Sequence, residues 1–226
     1  MDINILNMSK INKNSDLPSF FHHTEKELNK DKGQETLQDF FLGWTIHCAS
    51  DRFKESNPQI QELARRVLFT IIYGFNDNEK GSFVLSREIS ESFKVTSVKS
   101  HREYKYVDLL FFIDAEEAGV HKKYVIAIED KYYTRISNGQ LARCRQIVEE
   151  EFSQPESELI FAVVFCDDEI IRKEPVELDK CRKDGFKLLS ICDIQQLAGF
   201  NDEGCELTGN HLFDEFWFPF NVDRDR

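Results

Sequence analysis

Three polar side chains fall inside otherwise apolar stretches: Asp108 within YKYVDLLFFI, and Glu129 and Lys131 at the end of YVIAIEDK. A carboxylate buried in such company is costly unless a cation or hydrogen-bond donors compensate it. Glu129 and Lys131 stand two apart, so on a strand they project to the same face. Asp130 points the other way and can offer its backbone carbonyl oxygen. If the two strands pair, Asp108 approaches Glu129. Two carboxylates and a carbonyl form a hard, all-oxygen half-shell suited to Mg²⁺ or Mn²⁺. With Lys131 beside it to orient a water molecule and steady charge growing on a phosphate, the reaction this set suits is hydrolysis of a phosphodiester by a metal-activated water. The alternative for the same three residues is a structural ion-pair network at a sheet edge.

The elements that must hold them follow from periodicity. Phe20–Lys30 is amphipathic, and Glu35–Ala49 places Leu37, Phe40, Phe41, Trp44, Ile46 and Cys48 mostly on one helical stripe. Pro58 opens a third helix that runs to Tyr73 and is closed by Gly74. The period then changes to two. A strand is expected from Phe83 to Ile89, continuing towards Val95, a second over 104–113, and a third over 123–131 after a turn at 115–119. A helix over 138–152 leads to the buried-strand run LIFAVVFC at 159–166. A short strand at 187–191 and a short helix at 194–200 close the pattern. The expected class is therefore α/β: an αβββαβ core with a mixed sheet, extra N-terminal helices and a mixed C-terminal tail. A length of 226 residues suits one domain, with a helical extension at 1–57, a core at 58–166 and a second extension at 167–226.

Over about residues 60–166 these features resemble the PD-(D/E)XK nuclease superfamily, the restriction-endonuclease-like fold. The matching residues are Asp108 and the Glu129-Asp130-Lys131 element. The chain looks most like a branch of small bacterial and phage-associated nucleases. That branch has an Arg-Glu strand, a Val/Ile-Asp-Ile/Leu-Leu motif, an Ile-Glu-x-Lys motif and a Gln-Leu helix start. Here these stand as Arg87-Glu88, Val107-Asp108-Leu109-Leu110, Ile128-Glu129-Asp130-Lys131 and Gln140-Leu141, and Glu35–Trp44 looks like the branch's leading helix. The resemblance implies that Glu88 supports the metal site, directly or through water, and that Gln140 contacts substrate or orients the cluster. It also implies DNA rather than RNA as substrate, and a role in phage defence or DNA processing. Val107 replaces the proline of the superfamily's name, and Cys144 stands where an aromatic residue often follows the Gln. The alternative is a nuclease fold kept as a binding or assembly module, silent alone or activated by a partner.

Charge bears on the partner. The chain carries 29 Lys and Arg against 41 Asp and Glu, a net charge of −12, so any grip on nucleic acid is expected to come from a local patch or from basic help of another subunit. Two segments flanking the candidate site supply one. Residues 131–145 hold Lys131, Arg135, Arg143 and Arg145 with no acid, and 94–105 hold Lys94, Lys99, Arg102 and Lys105 against Glu103. Lys105, Arg135, Arg143 and Arg145 are thus the candidate backbone contacts, and Tyr132-Tyr133 a candidate stacking pair. No apolar run reaches the ~18–20 residues of a membrane span, and the N-terminus lacks a signal-peptide pattern, so a cytoplasmic protein is expected. Six scattered cysteines without a CxxC pair argue against zinc and against a disulfide framework. The apolar tail Phe213–Phe220 either packs back on the domain or forms a homodimer or partner surface.

Overall fold

The computed structural model describes residues 33–132, 134–166 and 175–218; the helix expected at 20–30 lies outside them. Helix α1 (Gly33–Cys48) leads through a 3-10 turn at Asp51–Phe53 to α2 (Pro58–Tyr73). A small antiparallel hairpin follows, β1 (Gly74–Asp77) with β2 (Ser82–Leu85). Then come the meander β3 (Lys94–Tyr104), β4 (Val107–Glu117) and β5 (Val120–Lys131), helix α3 (Gln140–Phe152) and strand β6 (Ser157–Phe165). Helix α4 (Pro175–Asp184), strand β7 (Lys187–Ser190) and helices α5 (Ile191–Leu197) and α6 (His211–Trp217) complete the order. The five-stranded sheet runs β3-β4-β5-β6-β7, antiparallel across its first three strands and parallel across its last three. The expected α/β class and the helix, three strands, helix, strand order are both present.

Apolar residues cover both faces of this sheet, which is why its central strands read as nearly unbroken hydrophobic runs. On β5, Tyr124, Ile126 and Ile128 join the core beneath α1, α2, α5 and α6. Val125 and Ala127 join the core beneath α3 and α4. The same alternation carries on to the strand's end, assigning Asp130 to the first face and Glu129 and Lys131 to the second. The β4–β5 hairpin turns through Ala118 and Gly119, both at positive φ (49° and 79°), the conformation a two-residue hairpin turn demands.

Two expectations fail around the first strand. The strand expected at 83–89 stops at Leu85 and belongs to the hairpin, not the main sheet. Glu88 sits in an exposed irregular segment. The true edge strand is β3, which pairs on one side only and buries little besides Val95, so its sequence shows no apolar alternation. Gly74 does close α2, by close approach: a Cβ there would collide with the Phe83 ring and lie 2.6 Å from the Thr70 carbonyl oxygen.

Lys187 secures the end of α2. Its ammonium donates to the Ile71 and Ile72 carbonyl oxygens at 3.0 and 2.5 Å, two of the carbonyls a helix C-terminus leaves unpaired. Burial pushes its pKa from 10.5 down to about 8. The folded state therefore releases this proton before the unfolded one does, and stability gained from the neutral amine grows as pH rises from about 8 to 10.5. Wild type should gain on Lys187→Met across that window in urea-unfolding midpoints, with a constant gap below it.

The aromatic tail packs inward. Phe213 and Trp217 are fully buried, Phe218 nearly so, and all three belong to the core beneath α1 and α2. Of the two readings of the tail, packing back on the domain is the one these three residues show; Pro219 and Phe220 lie outside the described residues. Among the described residues no helix is long and apolar enough to cross a membrane.

Candidate active site

The register of β4 on β5 pairs Leu110 with Ala127 and Leu109 with Ile128. One step further, where Asp108 comes level with Glu129, the ladder gives way to a side chain: the Asp130 backbone N–H donates to Asp108 Oδ2 at 3.0 Å. The aspartate is thus held at the mouth of the sheet by the backbone of the neighbouring strand, with its side chain 35% exposed. Lys131 Nζ donates to Glu129 Oε1 at 2.5 Å and stands 3.9 Å from Asp108 Oδ2. Both carboxylates therefore converge on one ammonium, on one face of the sheet.

Burial makes this an electrically tense cluster. Glu129 is 0% exposed and Lys131 6%. Burial first, and then the charge of Asp108, hold the Glu129 carboxyl well above the usual carboxylate range, against the pull of Lys131. Behind them, Cys144 on α3 is pushed up to about 12 by burial and by the two carboxylates, so it is an inert packing thiol. Glu129 Oε2 is buried and accepts no hydrogen bond among the described residues. A lone pair left idle beside a second carboxylate is what a hard cation takes, so the donor set fits one divalent ion shared by Asp108 and Glu129. Among the described residues no third Asp, Glu, His or Cys side chain gathers with them.

Gln140 joins the cluster. As the first residue of α3 it donates from Nε2 to Glu129 Oε1, while its Oε1 accepts the Ser137 N–H at 3.1 Å. The same amide thus ties the helix entrance to the buried carboxylate. The loop between Lys131 and Gln140 is gripped by α4: Glu177 accepts the Ile136 N–H at 3.0 Å, and Lys180 donates to the Ile136 carbonyl at 2.6 Å. Helix α4 is absent from the sequence reading because PVELDKCRKD is too charged to show an apolar stripe.

Glu88 is not brought to this cluster. Its neighbour Arg87 pairs with Glu117 at 2.7 Å, at the far end of β4 from Asp108. Nine steps along the strand separate those positions, about 30 Å at the rise of an extended chain. Arg87 also lies 3.6 Å over the Tyr73 ring, so this arginine fastens α2 to the sheet. Asp130 turns its side chain to the opposite face, as its position one residue out of phase with Glu129 and Lys131 requires. There Oδ1 accepts from Gln38 on α1, leaving only its backbone to serve the site. Gln38 was not anticipated, although a buried polar residue inside the inward stripe of α1 was the available signal.

The basic residues divide. Arg143 and Lys105 line a cleft of about 360 Å³ that also takes in Tyr106, Asp108, Asn138 and Gln140. Arg135 is exposed on the gripped loop beside Ile136. Lys105 is ion-paired to Glu151. Arg145 is elsewhere: it donates to the Asp184 and Gly185 carbonyls at 3.1 and 3.2 Å and covers Phe161 at 4.6 Å, tying α3 to the end of α4. Helix geometry explains the division, since Arg143 stands three residues from Gln140 and shares its face, whereas Arg145 stands five away. Tyr132 is half-buried at the end of β5, and Tyr133 lies outside the described residues. No protein-family model, curated protein or solved structure matches the chain.

Proposed function

We propose that the chain is a divalent-metal-dependent nuclease of the PD-(D/E)XK type that hydrolyses phosphodiester bonds, of DNA by the resemblance given above. The observation that carries this reading is the convergence of Asp108 and Glu129 on the Lys131 ammonium, with one buried Glu129 oxygen left without a donor. A structural ion pair needs no second carboxylate at its rim and no idle oxygen.

Asp108 and Glu129 would hold the Mg²⁺ or Mn²⁺, which when bound supplies positive charge to polarise the phosphodiester and its attacking water. Lys131, anchored by Glu129 and 3.9 Å from Asp108, would orient water and offset charge developing on the phosphate oxygens. Gln140 keeps Glu129 turned towards that point. Arg143 and Lys105 meet the flanking phosphates through charge-assisted hydrogen bonds.

Incubating supercoiled plasmid with the purified chain tests the proposal. Nicking is expected with Mg²⁺ or Mn²⁺ and none with EDTA. No cutting of plasmid, single-stranded DNA or RNA, together with no calorimetric Mg²⁺ binding, would turn the reading to a silent nuclease-fold module.

A further inference from the structure

The β3–β4 turn places an aromatic ring beside the cleft with no packing reason to be there. Tyr104 pairs with Val107, so the turn is Lys105-Tyr106, and Tyr106 is 58% exposed. A tyrosine of that exposure gains little from burial in this fold. Arg143 lies over its ring, 4.8 Å from the centre, and has no carboxylate partner among the described residues. Lys105 sits on the same turn. Glu103, which also lines the cleft, is neutralised by Arg102 at 2.7 Å. The cleft continues from this ring to Asp108 and Gln140, and its volume of about 360 Å³ is at the small end of ligand-sized pockets, about 300–1,000 Å³.

Resting on the nuclease reading, we infer that the Tyr106–Arg143 groove is a stacking subsite for an unpaired nucleotide, so that the preferred substrate is single-stranded or frayed polynucleotide. A base within a duplex has both faces covered by its neighbours, and only an unpaired one can lie on a side-chain ring. Arg143 stiffens the tyrosine from one side and offers its guanidinium to the adjoining phosphate. One base on Tyr106 sets the next phosphate along the cleft towards Asp108. At a net charge of −12 bulk attraction is weak, so stacking on Tyr106 adds to the local contacts of Arg143 and Lys105.

The test is fluorescence anisotropy in EDTA. The full chain is titrated onto a labelled single strand of about twelve nucleotides and onto a blunt duplex of the same sequence. Tyr106→Ala is expected to weaken single-strand binding about tenfold, with duplex binding unchanged, while Tyr106→Phe binds as wild type. An equal loss on both substrates, no loss on the single strand, or no single-strand binding by wild type overturns the subsite. The exposed position makes a folding defect improbable, and circular dichroism of each variant checks it. Mg²⁺-dependent nicking, measured separately, keeps the two ideas apart. Nicking with no Tyr106 effect on binding removes the subsite and leaves the hydrolase, whereas Tyr106-dependent binding without nicking does the reverse.

Discussion

Lys131→Met is expected to lower Mg²⁺-dependent cleavage by about 10²–10³-fold, the usual cost of deleting one preorganised charge that faces a transition state. Glu129→Gln should do at least as much damage, because it removes a cation ligand and loosens the anchor of the same lysine. Stability separates this from an ordinary structural pair. Lys131→Met leaves Glu129, at 0% exposure, facing Asp108 without its counter-charge. Breaking one side of a buried pair costs about 3–5 kcal/mol. Glu129→Gln should cost less, since Asp108 stays 3.9 Å from the Lys131 ammonium and the deleted carboxylate is one that burial and Asp108 both oppose. The double variant should recover most of what Lys131→Met loses, while cleavage stays low in all three. Urea midpoints and nicking rates measured on the same four proteins decide the matter. Cleavage within threefold of wild type in either single variant would sink the catalytic assignment, and a large stability loss in Glu129→Gln would mark the pair as structural.

How far the sequence could be read depends on what each residue faces. YVIAIEDK is apolar on both sides because helices cover both faces of the sheet. Its ending, Glu-x-Lys, could be assigned to one face from a period of two alone. Asp108 could be paired with Glu129 because adjacent antiparallel strands leave little choice of register once a hydrophobic face is buried. An edge strand offers no such handle: β3 faces solvent along one side, so KVTSVKSHREY carries no alternation, and the period-two signal sits in the upstream Phe83–Ile89 segment instead. Glu88 therefore falls outside the sheet, in an exposed irregular segment. Arg145 illustrates a different limit, because charge density along a segment ignores the angle at which each residue leaves a helix. Gln38 marks a third, since helix periodicity shows that α1 buries a stripe and says nothing of which strand end that stripe meets.

A structural effect of the same size is expected from Trp217→Ala, a loss of about 3–5 kcal/mol, the range for removing a buried large aromatic residue. Trp217 is 0% exposed, stacks on Phe200 with ring centres 5.4 Å apart and planes 14° from parallel, and meets Phe216 edge-on at 4.9 Å. Its indole N–H donates to Thr45 Oγ1 at 2.9 Å, so one side chain joins α6 to the last turn of α1. Trp217→Phe isolates that bond: most of the ring is kept, a buried hydroxyl loses its partner, and the cost should fall to about 1–3 kcal/mol. These numbers bear on the site as well, because α1 also carries Gln38, which holds Asp130 from behind the two carboxylates. Loosening the α1–α6 contact should therefore lower cleavage in Trp217→Ala even at temperatures where the variant remains folded by circular dichroism. An unchanged urea midpoint would mean that the tail contributes nothing to the core, and its aromatic residues would then be free to meet a second chain.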